Sequence, residues 1–344
     1  MLASSVPLSL LDLAIIGPGQ TPRDAFASSV AMAQRAEALG YRRVWYAEHH
    51  NMGSIGSSAT SVLVGHIASQ THKIRVGAGG VMLPNHAPLV IAEQFGTLEA
   101  LHPGRIDLGL GRAPGTDPVT TRALRRDASS ADTFPEDVLE LQGYLTGATR
   151  VPGVNATPGR GANVPLYILG SSLFGARLAA QLGLPYAFAS HFAPHALLDA
   201  VAIYRREFRP SAQLAAPHVI AGLTVIAADT KSHAEEQLRA VRRARVRLLL
   251  GKGRTFTDDE ADALLESPEG AQLRQMMTYS AVGTPDDVQA YVAAFVDHAR
   301  ADELMVVHPA QTLEARLRSM ELLSEGSTVK VNEAQAVSAK AGSL

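Results

Sequence analysis

Residues 44–50 read Val44-Trp45-Tyr46-Ala47-Glu48-His49-His50, and residues 76–84 read Val76-Gly77-Ala78-Gly79-Gly80-Val81-Met82-Leu83-Pro84. Each is a short apolar run of strand composition, the first ending in acid–base groups and the second interrupted by glycines. Between them, Ser58 to Gln70 carries the apolar spacing of a helix. Strands joined by a helix run parallel, and a sheet of such units carries its site at the carboxyl ends of the strands.

The same alternation extends in both directions. Leu8 to Ile16 reads as a buried first strand, followed by Gly17-Pro18-Gly19 and a helix capped by Thr21, with Pro22 at its first position and Gly40 at its end. Val44 to Glu48, Ile74 to Val81 and Ile106 to Leu110 are strands two to four, and a helix fills Pro88 to Leu101. Leu166 to Leu169, Tyr186 to Ala189, Val219 to Ala227 and Glu303 to Val307 supply strands five to eight, each followed by helical sequence. Thr255 to Ser280 reads as a helical insertion, and Ala113 to Thr133 is too long and polar for a routine connection. These eight units, with no polar linker between them, predict an α/β chain: one closed (β/α)8 TIM barrel domain over residues 1–325, with an insertion near strand 7, and a flexible tail over residues 326–344. A doubly wound dinucleotide fold would place Gly-x-Gly-x-x-Gly after the first strand, whereas Gly17-Pro18-Gly19 is followed by Pro22.

Composition narrows the function. The 344 residues are 46% hydrophobic and 19% charged, which suits a globular chain with a sizeable core. No apolar run approaches the ~18 residues that cross a bilayer, so no membrane partner is expected. With a net charge of −2, nucleic acid is not an expected partner either. The one basic run, Arg239 to Arg247, alternates with apolar residues like a solvated helix face. Absence of cysteine excludes disulfides, thiolate nucleophiles and cysteine-held metals. The N-terminus has no charged segment followed by an apolar core and cleavage site, and a cytoplasmic location is expected on that ground.

Several groups at strand ends carry chemistry. Neighbouring strand side chains face opposite ways, so Glu48 and His50 share one side and His49 points to the other. A histidine there serves as proton donor or acceptor, or else His50 only bonds a loop carbonyl while Glu48 pairs with a buried cation. Gly77, Gly79 and Gly80 let a flat ring lie against backbone, or else mark a β-bulge. Leu169-Gly170-Ser171-Ser172 precedes a helix, whose free amides form an anion seat that Arg112 is placed to reinforce; the serines otherwise act only as caps. His49, His50, His86, His191 and His308 all lie near strand ends, as a metal-dependent hydrolase would require. No His-x-His pair on the first strand and no i, i+4 ligand pair accompany them, so no metal is expected.

Joined by His102-Pro103-Gly104-Arg105-Ile106-Asp107-Leu108-Gly109-Leu110-Gly111-Arg112 and Val282-Gly283-Thr284-Pro285, these segments make a chain that resembles the bacterial luciferase-like flavin monooxygenases, and within them the single-subunit luciferase family oxidoreductases. The resemblance implies a (β/α)8 barrel and reduced FMN (FMNH2) as cosubstrate. It further implies dioxygen activated as a flavin C4a-hydroperoxide, a small organic substrate and a homodimer. No NAD(P)H fingerprint is present, so a separate flavin reductase is the implied source of FMNH2. Carried over by residue, His49 matches the active-site histidine; Glu48, its neighbour at the strand end, is the second catalytic candidate on position alone. Gly79 and Gly80 match a glycine pair whose peptide is often cis beneath the isoalloxazine ring. Arg112 matches an arginine near the FMN phosphate, and Gly170, Ser171, Ser172 and Gly175 align with the phosphate loop. Gly111 departs from the light-emitting subunit, which has cysteine there, so luminescence and a long-chain aldehyde substrate are not implied. A C4a adduct survives only where water is excluded, which makes Ala113 to Thr133 and Gly251 to Ser280 the expected lids. F420-dependent hydride transfer on the same scaffold and a non-catalytic flavin-binding protein are the alternatives from this side.

Overall fold

The computed structural model describes residues 6–113, 115–251 and 254–325; the expected tail over 326–344 lies outside them. Its strands are β1 (Leu8–Asp12), β2 (Arg43–Tyr46), β3 (Arg75–Met82), β4 (Ile106–Gly111), β5 (Leu166–Gly170), β6 (Tyr186–Phe188), β7 (Val219–Ala227), β8 (Ser280–Gly283) and β9 (Glu303–Val307). β1 to β6 pair in chain order, β6 pairs with β7, β7 with β9, and β9 with β1. Eight parallel strands therefore close into a (β/α)8 barrel, as the alternation of apolar runs and helical spacing predicts.

One strand that the sequence reading lacks begins where the expected helical insertion ends, at Ser280. β8 is four residues long and pairs with Thr224 to Ala227 of β7. Ile220 and Ala221 pair with β6 on one side and β9 on the other, and Thr224 pairs with both β8 and β9. β8 thus occupies the edge of β7 that β6 has vacated, beyond the barrel wall. The inserted segment contributes helices Asp258–Glu266 and Ala271–Met276, which pack Phe256, Ala261, Leu265 and Leu273 against Val246 of helix Lys231–Leu250. The first strand is also shorter than its apolar run, because the Asp12 carboxylate accepts from the Ala14 amide and Ala14 turns to φ 50. Ala113 to Thr133 is less irregular than expected, with a short helix at Pro118–Ala123 capped by Asp117.

Alternate strand residues fill the barrel. Leu11, Trp45, Ala47, Tyr167, Ala187, Ile220, Met305 and Val307 form a cluster separate from the apolar layer between strands and helices. Trp45 meets Tyr167 edge to face, centroids 4.9 Å apart. These rings have room because β3 and β4 present glycines: a Cβ on Gly79 would lie 2.7 Å from Trp45 Cβ, and one on Gly109 2.6 Å from Leu169 Cδ1.

Below the rings, at the amino ends of the strands, lies a buried ionic network. Arg43 Nη1 bonds Asp107 at 2.7 Å and the Tyr167 hydroxyl at 2.6 Å, while its Nε lies 2.8 Å from Glu303. Ser9 donates to Glu303 at 2.6 Å, and Trp45 Nε1 donates to Asp107 at 3.1 Å. Burial works against the Arg43 charge, but Asp107 and Glu303 outweigh it and hold the pKa above the ordinary value. A barrel's amino end is where residues serve stability, and this network is the part of the interior that sequence reading did not foresee.

His308, one residue past β9, is 3% exposed and lies 2.8 Å from Ser319 Oγ and 3.4 Å from the Tyr41 hydroxyl. Burial pulls its pKa from 6.5 down to about 3. As pH falls below the unfolded value, the unfolded chain binds a proton that the folded chain refuses, so stability declines. Between pH 7 and 5 this one group removes about 2 kcal/mol. Urea unfolding at the two pH values is expected to show a loss smaller by that amount in His308→Gln; an unchanged loss would contradict the assignment.

Candidate active site

The carboxyl end of β2 is where chemistry concentrates. Its ladder continues beyond Tyr46, with Ala47 N donating to Asp12 O at 3.4 Å and Glu48 N to Gly80 O at 3.3 Å. The pleat therefore runs on: Arg43, Trp45, Ala47 and His49 face the barrel interior, and Glu48 and His50 face outward.

Outside, Glu48 is 1% exposed and is enclosed by donors. His50 Nε2 lies 2.7 Å and His86 Nε2 2.8 Å from its Oε1, and the Met82 amide donates to Oε2 at 3.0 Å. Burial pushes the carboxyl pKa up, but His86, His50 and the Met82 amide together bring it below the usual carboxylate value. An ionised carboxylate only accepts, so both imidazoles donate from Nε2. The loop after β4 is laid over this cluster: His50 N donates to Gly115 O at 3.3 Å, and Thr116 Oγ1 to His50 O at 3.1 Å. Gly115 has φ +65, and a Cβ there would come within 3.0 Å of Glu48 O.

Glu48, His50 and His86 are the one group of three candidate metal ligands among the described residues, their ligand atoms within 4.8 Å of one another. Two imidazole nitrogens converging on a single carboxylate oxygen is hydrogen-bond geometry. A metal centre instead needs lone pairs from all three to converge on a point about 2.0–2.2 Å from each. His49, His191 and His308 lie outside the group. The place of His86 was not legible beforehand, because it reaches Glu48 through the turn Leu83–Asn85, 38 positions along the chain.

Inside, His49 presents a different environment. Its Nδ1 is buried and has no partner among the described residues. Burial holds its pKa below 6.5, with Glu48 opposing that shift and His50 adding to it. A neutral ring with one open, enclosed nitrogen can take or hold a proton on whatever occupies the mouth.

Beside it, the Gly79–Gly80 peptide is cis, the isomer that the resemblance implies, and pairing between β3 and β4 shifts register between Ala78 and Val81. A Cβ on Gly80 would lie 2.6 Å from Gly109 O. Further round the rim, Ser172 is the N-cap of helix Leu173–Leu182, yet its side chain makes no capping bond. The helix's first amides thus lack the side-chain partner that a cap supplies. Ser171 and Ser172 are both exposed. Gly170 and Gly175 let the strand end and the helix approach, a Cβ on either lying 3.6 Å from the other's Cα, and Tyr186 supports the turn by donating to Ser172 O at 3.0 Å. The Arg112 guanidinium carbon stacks 4.1 Å over the Phe174 ring, on the first turn of the same helix, and has no carboxylate partner among the described residues. Phosphate is the chemistry these donors suit.

The basic run on helix Lys231–Leu250 keeps Arg239 and Arg242 exposed, as a solvated face would. Arg243 bonds Asp258 and Asp262, and Arg247 bonds Asp258 and Phe256 O, so these two part-exposed cations also fasten the insertion.

A parallel barrel with an inward-facing histidine and an anion-ready helix terminus on the same carboxyl rim defines an enzyme of the (β/α)8 class. The chain belongs to the luciferase-like monooxygenase family, whose family model matches residues 8–302. It is 46% identical over 325 residues to a luciferase-like monooxygenase of Escherichia coli K12, covering 94% of this chain and 97% of the relative. It is 32% identical over 331 residues to the N-acetyl-S-alkylcysteine monooxygenase of Bacillus subtilis, covering 93% and 98%. The crystal structure of apo-MsnO8 superposes with a TM-score of 0.85 at 34% identity, over 94% of this chain and 99% of that one.

Proposed function

We propose that the protein is the oxygenating component of a two-component, FMN-dependent monooxygenase, drawing FMNH2 from a separate reductase and acting in the cytoplasm on a small organic substrate. Bound FMNH2 supplies the electrons that activate dioxygen. Arg112, Ser171, Ser172 and the amides of helix Leu173–Leu182 hold its phosphate, and the Gly79–Gly80 strand end accepts the ring. Gly170 and Gly175 act by bringing the strand and helix together. His49 is the catalytic residue, exchanging a proton through Nδ1. Glu48 is a positioning residue: its side chain faces away from the mouth, and it fixes the strand end through His50, His86 and the Met82 amide. The loop over 113–133 and the insertion over 251–280 exclude water.

The observation that carries this reading is the buried Nδ1 of His49, without a partner among the described residues, on the inner face of a rim that also bears a helix terminus lacking a side-chain cap, with an arginine stacked on its first turn. Fluorescence titration with FMN is the first test. Arg112→Leu is expected to weaken binding about 10- to 100-fold, the equivalent of one lost charge-assisted phosphate contact. Oxygen uptake with FMNH2 and a reductase, rising on addition of substrate, is the second. A protein that ignores FMN but reduces substrate with F420 would overturn the cofactor assignment, and FMN binding without substrate-dependent uptake would overturn the enzymatic one.

A further inference from the structure

β4 lies beside β3, and β3 beside β2. By Gly115 the chain leaving β4 has crossed the end of β3: a Cβ on Gly115 would come within 3.0 Å of both Met82 Cγ and Glu48 O. Met82 closes β3, two residues beyond the Gly79–Gly80 peptide. The same segment then forms the short helix Pro118–Ala123 and returns over β3, where the turn Ala128–Ala131 packs on Leu83–Asn85. It is a strap across the strand end to which the flavin ring is assigned above.

Three hydrogen bonds fasten the strap to the two residues that follow His49. His50 N donates to Gly115 O at 3.3 Å, and Thr116 Oγ1 donates to His50 O at 3.1 Å. The third joins side chains, Asn51 Nδ2 donating to Asp117 Oδ2 at 3.2 Å. Asp117 is also the N-cap of the short helix: its Oδ1 accepts from Val119 N at 2.8 Å and Thr120 N at 3.0 Å, and its Oδ2 from Thr120 Oγ1 at 2.6 Å. The Thr120 hydroxyl and amide, then Asn51, hold its carboxyl well below the usual carboxylate range, so it is charged at neutral pH. Asn51 stands at φ 56, in the left-handed region that Asn and Asp enter more readily than other side chains. Both side chains are exposed. A bond of that kind breaks and reforms cheaply, as a cover that must open for flavin and substrate requires.

We propose that Asn51 and Asp117 form a latch that keeps the strap closed over the end of β3 during turnover, which makes both of them positioning residues for the oxygenation. The inference rests on the monooxygenase reading above and says how that site is kept dry. With the latch shut, water is held off the reacting ring. With it open, FMNH2 and O2 pass to FMN and H2O2, the two electrons and two protons of the reduced flavin leaving as free peroxide instead of driving transfer of oxygen to substrate.

The test reverses the pair. Asn51→Asp keeps a residue suited to the left-handed backbone but sets a second carboxylate against Asp117, and the like charges should push the strap open. Asp117→Asn keeps the helix cap, since the two residues cap equally well, and Asn51 then turns its amide oxygen toward the new N–H donor. The double variant N51D/D117N restores the bond with donor and acceptor exchanged. One readout needs no flavin: tryptic cleavage at Arg122 and Arg125, both exposed on the strap. The other is the rate of peroxide release when FMNH2-loaded protein is mixed with O2 in the absence of substrate. In Asn51→Asp both should rise at least about threefold, while Asp117→Asn and the double variant stay within about twofold of wild type. The melting temperature of Asn51→Asp should stay within about 2 °C of wild type, because neither side chain is part of the core. Asn51→Asp behaving as wild type in both readouts would overturn the proposal. So would a double variant as fast as Asn51→Asp, which would place the effect in residue 51 alone. Faster cleavage that the double variant reverses, in a protein that binds no FMN, would leave the latch standing and remove the monooxygenase reading; substrate-dependent oxygen uptake in a protein whose cleavage and peroxide release ignore all three variants would do the reverse.

Discussion

Replacing His49 with alanine is expected to lower substrate-dependent oxygenation by about 10²- to 10⁴-fold, the range for loss of a positioned acid–base group. Peroxide should appear in place of product, because electrons still reach dioxygen while the proton is no longer delivered under control. FMN affinity should change little, since phosphate and ring are held by Arg112, the helix Leu173–Leu182 and the Gly79–Gly80 strand end. The pH profile supplies a second readout. Burial keeps the His49 pKa below 6.5, so the ring is neutral at pH 7 and takes on a proton as pH falls through the lowered value. If the neutral ring is the active form, the wild-type rate carries an acid limb below that point, and the alanine variant lacks it. Full coupling in the variant, with the limb intact, would remove His49 from the chemistry.

The second large effect concerns folding. Arg43→Met should destabilise the protein by about 3–5 kcal/mol, because it removes the buried cation that Asp107 and Glu303 share and leaves them to the more exposed Arg75, Arg42 and His218. Asp107 and Glu303 are both fully buried, and burial already pushes the Glu303 carboxyl upward; His218, Arg43 and Ser9 together bring it below the usual range. The guanidinium also lies 4.9 Å from the Tyr167 ring centroid and 5.5 Å from that of Trp45, contacts that methionine replaces only in part. Adding Glu303→Gln to the variant should recover part of the loss, since it removes one of the two buried charges that Arg43 balanced. Guanidinium unfolding midpoints of the single and double variants measure this. A single variant within 1 kcal/mol of wild type would show that the network contributes little.

These two sites differ in how far the sequence exposed them. That Glu48 and His50 share a side, with His49 on the other, follows from strand periodicity alone; that the two bond each other is seen only in the structure. The barrel was legible for a related reason: strands buried on both faces appear as continuous apolar runs, and the helices between them keep their own spacing. β8 was not legible, since Ser280 to Gly283 is short, lacks alternation and acquires its strand character from the overhanging end of β7. Arg43 and Glu303 meet across 260 positions, and no local pattern announces such a pair. The partners of Arg243 and Arg247 were hidden for the same reason, since Asp258 and Asp262 lie on the inserted helix, 11 to 19 positions along the chain.

The central claim is that one rim of the barrel seats a flavin with its phosphate at the helix Leu173–Leu182 and its ring against Gly79–Gly80, within reach of His49. A crystal structure with FMN bound tests this most directly. The account predicts phosphate oxygens on the Ser171 and Ser172 hydroxyls and the first helix amides, with Arg112 closing over them and His49 Nδ1 directed at the ring edge. Phosphate bound elsewhere, for instance at the start of helix Lys231–Leu250, with His49 remote from the ring, would contradict it.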